Sequence, residues 1–427
     1  MKNQLNFPLA VIGLSLVSNV NASTLEESLL SACGFDINPI LSNLDSVEGS
    51  AMLAREILID GEVVPPDFCN DIGAGDAQAF NLMLKAMTPN QLGSTTRSAQ
   101  LVGKSQGRAI HNRLQNLRDL AKQPDSQELG GVSSSLLVGG AASAEALLGQ
   151  GVAVFGTAQF NNGDKEKTNL EESYDWSGNS LSLGGDYRLN NNLIIGGAIS
   201  LSNNDTAFGS ARGQMDSSSV ALSTYGTYYT DKAYVDWNAG YGYFDYKTRR
   251  DVVFMTIDTS ASGETNGDQW SFNVSGGTDF FVGDKTISPY FGVSYVDTTV
   301  DGYTETGAGS YNYAVDKQDT ISRISVLGVR VSQAKSYCWG VLSPSAHIEW
   351  QYEFNRDPSA INSAFDVDPT LGFNSSTDLP DRSYFNAGAS VSMMLPGGRA
   401  GFVSISRVFK QQYINNTILN IGYRAEF

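Results

Sequence analysis

The chain has 427 residues, 41 % of them hydrophobic, and a formal net charge of −17 at pH 7. Such an acidic protein is not expected to bind nucleic acid, because its field repels phosphate. Its length allows one large domain and a small additional one. Beyond the amino terminus, no segment approaches the about 20 continuous apolar residues that a membrane-spanning helix needs.

The first 22 residues have the pattern of a secretory signal peptide. Lys2 supplies a positive start, residues 7–17 form a short apolar core, and Val20-Asn21-Ala22 is an acceptable cleavage motif. We therefore predict cleavage between Ala22 and Ser23, and a mature chain that functions outside the cytoplasm.

Residues 23–92 are predicted to form a short helical region. Thr24 and Glu27 have the spacing of a helix-capping box. Cys33 and Cys69 can form a disulfide in an oxidising compartment, which leaves Cys338 as an unpaired cysteine.

Residues 93–149 are predicted to form a linker that contains an amphipathic helix. Apolar residues recur at helical spacing from Arg97 to Lys122, interrupted by Gly103 and Gly107. Asp119 is the single acid in this stretch, so the helix is basic in an otherwise acidic protein. Its basic residues are Arg97, Lys104, Arg108, Arg113, Arg118 and Lys122.

Residues 150–427 contain about twelve segments in which apolar and polar residues alternate with a period of two. This pattern is typical of strands that lie between lipid and a water-filled lumen. A soluble sandwich also alternates, but it rarely places large aromatic residues beside glycine on strands of this length. The predicted strands are 151–162, 178–189, 193–203, 216–229, 232–247, 268–281, 285–299, 319–332, 337–354, 384–395, 399–410 and 414–427.

The connections between these segments alternate between short and long. Tight turns are predicted near 190–192, 230–231, 283–284, 333–335 and 396–398, and long polar loops at 163–177, 204–215, 248–267, 300–318 and 355–383. Short periplasmic turns and long extracellular loops are typical of outer-membrane barrels. We therefore predict an all-β transmembrane barrel of about twelve antiparallel strands, preceded by a short α-helical region.

The polar side of the predicted strands carries acids that are expected to face the lumen. In one interpretation the basic helix is threaded through the pore and pairs with these acids. In the other interpretation it lies outside the pore as a solvated amphipathic helix, and the sequence does not decide between the two. The predicted lumen acids are Asp186, Asp236, Glu349, Glu353 and Glu426.

Several motifs in order resemble the translocator domain of autotransporters, the type V secretion proteins of Gram-negative bacteria. The stretch 110–119 is similar to their linker helix. LGGDYRL at 183–189, IGGA at 195–198, YGTYY at 225–229 and IGYRAEF at 421–427 are similar to their barrel strands. The resemblance covers roughly residues 90–427.

This resemblance implies a barrel in the outer membrane that exports the preceding part of its own chain and keeps the helix as a pore plug. It also implies a monomer without cofactors, in contact with outer-membrane lipid and lipopolysaccharide. Periplasmic chaperones and the barrel-assembly machinery are the implied partners during assembly. The machinery is expected to read a signal on the last strand made of Leu419, Tyr423 and Phe427.

The sequence departs from this family in two respects. Some members cleave themselves at an Asn-Asn pair in the helix, and the segment 108–112 contains no such pair, so this cleavage is not expected. Passengers are usually long repetitive solenoids, whereas residues 23–92 show no repeat.

Two other functions remain open at this stage. The chain is compatible with a stand-alone channel or structural barrel whose amino-terminal helices stay in the periplasm. It is also compatible with a hydrolase that uses His347 beside Glu349, although a histidine in a polar lumen network is the simpler interpretation. Because no nucleophile, metal-ligand or phosphate-loop motif is present, we expect no enzymatic activity.

Overall fold

A closed antiparallel barrel dominates the computed structural model, which describes Ile110, Leu114, Gln115 and residues 152–168, 171–209, 213–254, 257–355 and 360–426. Twelve long strands form its wall within this part of the chain. They are β1 (Val152–Lys165), β2 (Tyr174–Asn190), β3 (Leu193–Phe208), β4 (Gly213–Tyr229), β5 (Ala233–Phe254), β6 (Ile257–Thr278), β8 (Lys285–Val300), β11 (Gln318–Gln333), β13 (Gly340–Glu353), β16 (Ser383–Leu395), β17 (Arg399–Phe409) and β18 (Ile414–Glu426).

Each wall strand pairs with the next one along the chain, and the first strand pairs with the last. The β1–β18 register runs from Ala153 opposite Glu426 to Lys165 opposite Ile414, which closes the barrel. Closure removes the unpaired strand edges that cannot exist in hydrocarbon. The predicted all-β transmembrane barrel of about twelve antiparallel strands is therefore confirmed.

Side chains alternate across the wall as the hydrophobic pattern requires. On β5, the outward Val235, Tyr241 and Tyr243 are exposed, whereas the inward Asp236 and Asn238 are buried. The outward row is the surface that meets lipid, and the inward row lines the lumen. Among the described residues, no helix is long and apolar enough to cross a membrane.

The predicted tight turns lie at one end of the barrel. Gly283, with a φ of 65°, and Gly397, with a φ of 79°, adopt the left-handed backbone that such turns require. Two short strands, β7 (Phe280–Val282) and β12 (Lys335–Tyr337), extend the hairpins at this end. These turns form the periplasmic end in the topology that the sequence predicts.

Two of the predicted long loops are mostly strand in the structure. Segment 248–267 continues the β5–β6 hairpin, in which Val253 still pairs with Asp258, and only 209–212 separates β3 from β4. In these extensions the outward row is mostly polar, while the buried inward row includes apolar residues such as Phe208 and Met215, so the apolar and polar rows of the spanning part are not continued although the backbone pairing is. A prediction based on alternation therefore ended these strands too early.

A second, smaller sheet forms from the two long loops 301–317 and 354–382. Its strands are β9 (Tyr303–Thr304), β10 (Tyr313–Val315), β14 (Ala360–Phe365) and β15 (Asp368–Ser376), in the order β15-β14-β10-β9. The β10–β14 pairing joins the two loops to each other, and a bridge between Ser262 and Thr306 joins the sheet to β6.

Candidate functional site

The lumen is lined mainly by small and polar side chains. Alternation brings them inward from all parts of the wall, where they are buried from bulk solvent. Such a lining offers many weak hydrogen-bonding partners and few strong ones, which suits the passage of a polypeptide better than the capture of one ligand. Examples are Thr157, Gln159, Ser200, Ser202, Asn204, Ser217, Ser219, Asn238, Gln269 and Asn420.

Two of the predicted lumen acids are held by a cation of the wall itself. Arg424 of β18 places Nη2 3.0 Å from Oδ1 of Asp186 on β2, and its Nη1 donates to Oε2 of Glu426 at 2.7 Å. Sequence reasoning put Arg424 on the polar face but missed this role. The sequence did contain a signal for this contact: Arg424 and the acids that it binds all lie on the lumen-facing sides of their strands.

Glu353 of β13 is held by the neighbouring strand β11. It accepts hydrogen bonds from Ser322 Oγ at 2.6 Å and from the Arg323 backbone N–H at 2.7 Å. Its charge is therefore stabilised by the barrel wall.

Glu349 lies at the centre of a polar network in the lumen. It accepts hydrogen bonds from Tyr290 Oη at 2.8 Å, Gln351 Nε2 at 2.8 Å and Asn386 Nδ2 at 3.1 Å. His347 Nε2 lies 3.4 Å from the same Asn386 amide nitrogen. His347 and Glu349 thus meet around Asn386, and the geometry matches the polar network favoured over a catalytic pair.

A cavity in the lumen brings Asp236 and Glu349 together. The same cavity is lined by Asn238, Tyr290 and Leu114. Leu114 precedes the barrel by almost forty positions in the chain, so a residue of the predicted basic helix shares this space with two predicted lumen acids.

Leu114 is in helical conformation and is packed against the inner wall. It forms a buried cluster with Phe155 of β1 and Tyr225 of β4, and Ile110 packs against that cluster. The two aromatic rings meet edge to face with centroids 6.2 Å apart. Tyr225 lies across Gly196, where a Cβ atom would overlap its ring.

Many of the predicted site residues lie outside the described residues. On the last strand, Tyr423 faces outward and is exposed, while Leu419 is half-buried. In the part of the chain that the structure describes, no group of three or more His, Cys, Asp or Glu side chains is arranged to hold a metal ion. The predictions outside the described residues are Ala22, Ser23, Cys33, Cys69, Arg97, Lys104, Arg108, Arg113, Arg118, Lys122 and Phe427.

Two curated relatives are named as enzymes. The chain is 25 % identical over 275 residues to Lipase 1 of Photorhabdus luminescens, covering 63 % of this chain and 42 % of that protein. It is 26 % identical over 194 residues to Esterase EstA of Pseudomonas aeruginosa, covering 44 % of this chain and 30 % of that protein. The chain thus spans less than half the length of these relatives.

The prediction that the protein has no enzymatic activity is contradicted by these relatives. Their names are those of a lipase and an esterase, which points to an enzymatic passenger. The prediction rested on the absence of familiar catalytic motifs from the sequence, and a barrel that conveys another part of a chain need carry no catalytic residues of its own.

A solved structure and a family match both agree with the closed barrel described above. The translocator domain of the autotransporter NalP from Neisseria meningitidis superimposes with a TM-score of 0.52 and 17 % identity, covering 75 % of this chain and 98 % of that one. Residues 154–405, more than half of the chain, match the family Autotransporter beta-domain. The chain therefore belongs to the autotransporter family, and its barrel is an outer-membrane translocator domain.

Proposed function

We propose that the barrel exports and displays the amino-terminal region of its own chain, residues 23–92, while the basic helix stays in the pore. The observation that carries this proposal is the packing of Leu114 against Phe155 and Tyr225 on the lumen side of the wall. A residue of the preceding chain that packs there lies inside the pore, through which an exported segment must pass.

The helix is proposed to plug the pore through a particular pair of acids. Asp236 and Glu349 line the cavity that contains Leu114. In the sequence Arg118 follows Leu114 by four positions, the spacing of neighbours on one helix face, and Arg113 directly precedes Leu114. Of the five predicted lumen acids, these two are the best placed to pair with the helix.

The other three predicted acids do not line this cavity, and their contacts lie within the wall. Asp186 and Glu426 bind Arg424, and Glu353 binds Ser322 and a backbone N–H. The helix is therefore proposed to pair with two of the five acids that the sequence predicted.

A surface tag tests the proposed export. An epitope inserted after Ser23 is expected to bind antibody on intact cells, because the exported region passes through the barrel to the outside. An epitope in the turn 283–284, at the opposite end of the barrel, is the matched control and should bind only after permeabilisation. If the tag after Ser23 also needs permeabilisation, the stand-alone channel with periplasmic helices replaces this proposal.

Assembly is proposed to follow the family pattern as a monomer. The outward row of the last strand, with Leu419, Tyr423 and Phe427, is the proposed signal for the barrel-assembly machinery after delivery by periplasmic chaperones. Outer-membrane lipid and lipopolysaccharide are the proposed surroundings of the apolar outer surface, whose exposed members include Leu183, Leu201, Leu222, Val274 and Ile405.

Ester hydrolysis by the exported region is the second candidate function, favoured by the names Lipase 1 and Esterase EstA. The purified full chain is expected to hydrolyse a short chromogenic ester, and deletion of residues 23–92 should abolish the activity, because the barrel only conveys the catalytic part. A full chain no faster than the folded deletion variant would exclude this activity.

A further inference from the structure

Two buried clusters of opposite charges connect the wall to the loops at the long-loop end. In the first, Lys165 at the end of β1 places Nζ 2.8 Å from Glu171 Oε2 and 2.7 Å from Asp378 Oδ2. Thr168 Oγ1 donates to the same Asp378 oxygen at 2.8 Å. The Lys165 side chain is 1 % exposed, so the charge depends on these partners.

The second cluster surrounds Arg250 near the end of β5. Its Nε donates to Glu305 Oε1 at 3.1 Å, and its Nη2 pairs with Glu305 Oε2 and donates to the Tyr311 carbonyl at 2.7 Å. The guanidinium lies 4.0 Å above the centre of the Tyr313 ring. Both charged side chains are at most 3 % exposed.

Both cations point towards the inside of the barrel. Lys165 is in phase with the buried, lumen-facing Gln159 and out of phase with the exposed Phe160. Arg250 is likewise in phase with the buried Phe244 on β5. The loop carboxylates that bind them therefore lie on the lumen side of the wall rather than outside it.

Each of these loops is attached to a wall strand other than the two that it connects. Loop 301–317 connects β8 to β11 and binds β5, while loop 354–382 connects β13 to β16 and binds β1. In the ring of wall strands, β5 and β1 lie on either side of the arc from which both loops arise. The β10–β14 pairing joins the loops between these two attachment points.

An apolar cluster lies on the inner wall at the same end. Its rings include a Tyr174–Trp176 pair with centroids 5.8 Å apart and a stacked Phe244–Tyr246 pair at 5.9 Å. An apolar constriction of this kind excludes water from a pore. The buried members are Tyr174, Trp176, Phe208, Met215, Phe244, Tyr246 and Val300.

We infer that residues 301–317 and 360–382 form a lid that closes the extracellular mouth of the barrel, held shut by the Lys165 and Arg250 clusters as two latches. The lid is built from the barrel's own chain and does not depend on what fills the lumen. A segment that leaves the pore must displace it, and removal of one latch partner leaves an unpaired buried charge that favours the open lid.

The latches are tested by access to a probe beneath the lid. Thr206→Cys places a thiol on the inner side of β3, where Thr206 is 3 % exposed. In a chain without residues 23–92, in which no exported segment holds the lid open, a membrane-impermeant maleimide added to intact cells should label it several-fold faster in Lys165→Met and Arg250→Met variants. Matched controls are Lys167→Met and Arg249→Met, whose cations are about half exposed and bind acids nearby in their own segments.

The deletion removes Cys33 and Cys69, and Cys338 is replaced by serine, so that the probe is the only thiol. Heat-dependent gel mobility checks that each barrel is folded. Asp378→Asn keeps the size of the side chain and serves as the second variant, with a smaller expected acceleration. Labelling at the parental rate in the folded latch variants overturns the lid, whereas the plug and export proposals would stand.

Discussion

Reversing Arg113 and Arg118 to glutamate is expected to open the pore to ions. At an effective dielectric constant of about 20, two opposite charges 4 Å apart attract by about 4 kcal/mol. The reversal turns this attraction to Asp236 and Glu349 into repulsion. Only about 1.4 kcal/mol is needed for a tenfold change in the ratio of open to plugged pores.

Ion current through planar bilayers measures this effect. The recordings use an Arg250→Met background, so that the latched lid is not a second barrier in series, and labelling at position 206 reports separately that the lid is open. Arg113→Lys with Arg118→Lys is the control that keeps both charges. Replacing Asp236 and Glu349 by lysine in the reversed variant should restore closure. A current that the reversal leaves unchanged would show that the helix does not lie in the lumen.

Acid is expected to release the lid of the unaltered protein. Burial raises the pKa of Asp378, but hydrogen bonds from Lys165 and Thr168 and the charge of Lys165 outweigh it, so this pKa lies below its ordinary value of 3.8. Lys165 and Glu171 are the charged groups that face it in the first latch. A lowered pKa in the closed state stabilises that state above the ordinary pKa, and the stabilisation is lost as the pH falls through the lower value.

Hydrogen exchange of the backbone amides in residues 360–376 tests this pH dependence. After correction for the intrinsic exchange rate, protection should be constant between pH 7 and 5 and should fall below about pH 4. The Asp378→Asn variant lacks this carboxylate but keeps Glu171 and Glu305, so its protection should be lower at pH 7 and should change less with pH than that of the parent. Protection of the parent that stays constant to pH 2 would contradict the role of Asp378.

The wall of the barrel could be predicted from the sequence because each spanning strand separates two solvents. On β13, Ile348 and Trp350 alternate with Glu349 and Gln351. This pattern predicts both the strand and the side of it that faces lipid. On the β5–β6 extension the outward row becomes mostly polar, with Lys247 and Arg249, while the buried inward row includes Val252 and Ala261, so the pattern of the spanning part is lost. The strand end at Phe254 was missed for that reason.

The partners of the charged residues could not be predicted from local patterns. Lys165 and Asp378 are separated by most of the barrel sequence, and Arg424 meets Asp186 only because the last strand closes onto the first. What the sequence does indicate is on which side of its strand each isolated basic residue lies. Lys165, Arg250 and Arg424 all fall on inward positions of their strands, where a charge needs a partner.

The central claim is that the chain preceding the barrel runs through the lumen, and a cross-link tests it most directly. Leu114→Cys is combined with Phe155→Cys on the inner wall, or with Phe160→Cys on the lipid-facing side of β1 as control, in a chain without its native cysteines. A short bis-maleimide is added to membranes, and a protease site placed within residues 125–145 is then cut. We predict that the two fragments stay joined for Phe155→Cys and separate for Phe160→Cys; separation in both cases, with the barrel folded, would contradict the claim.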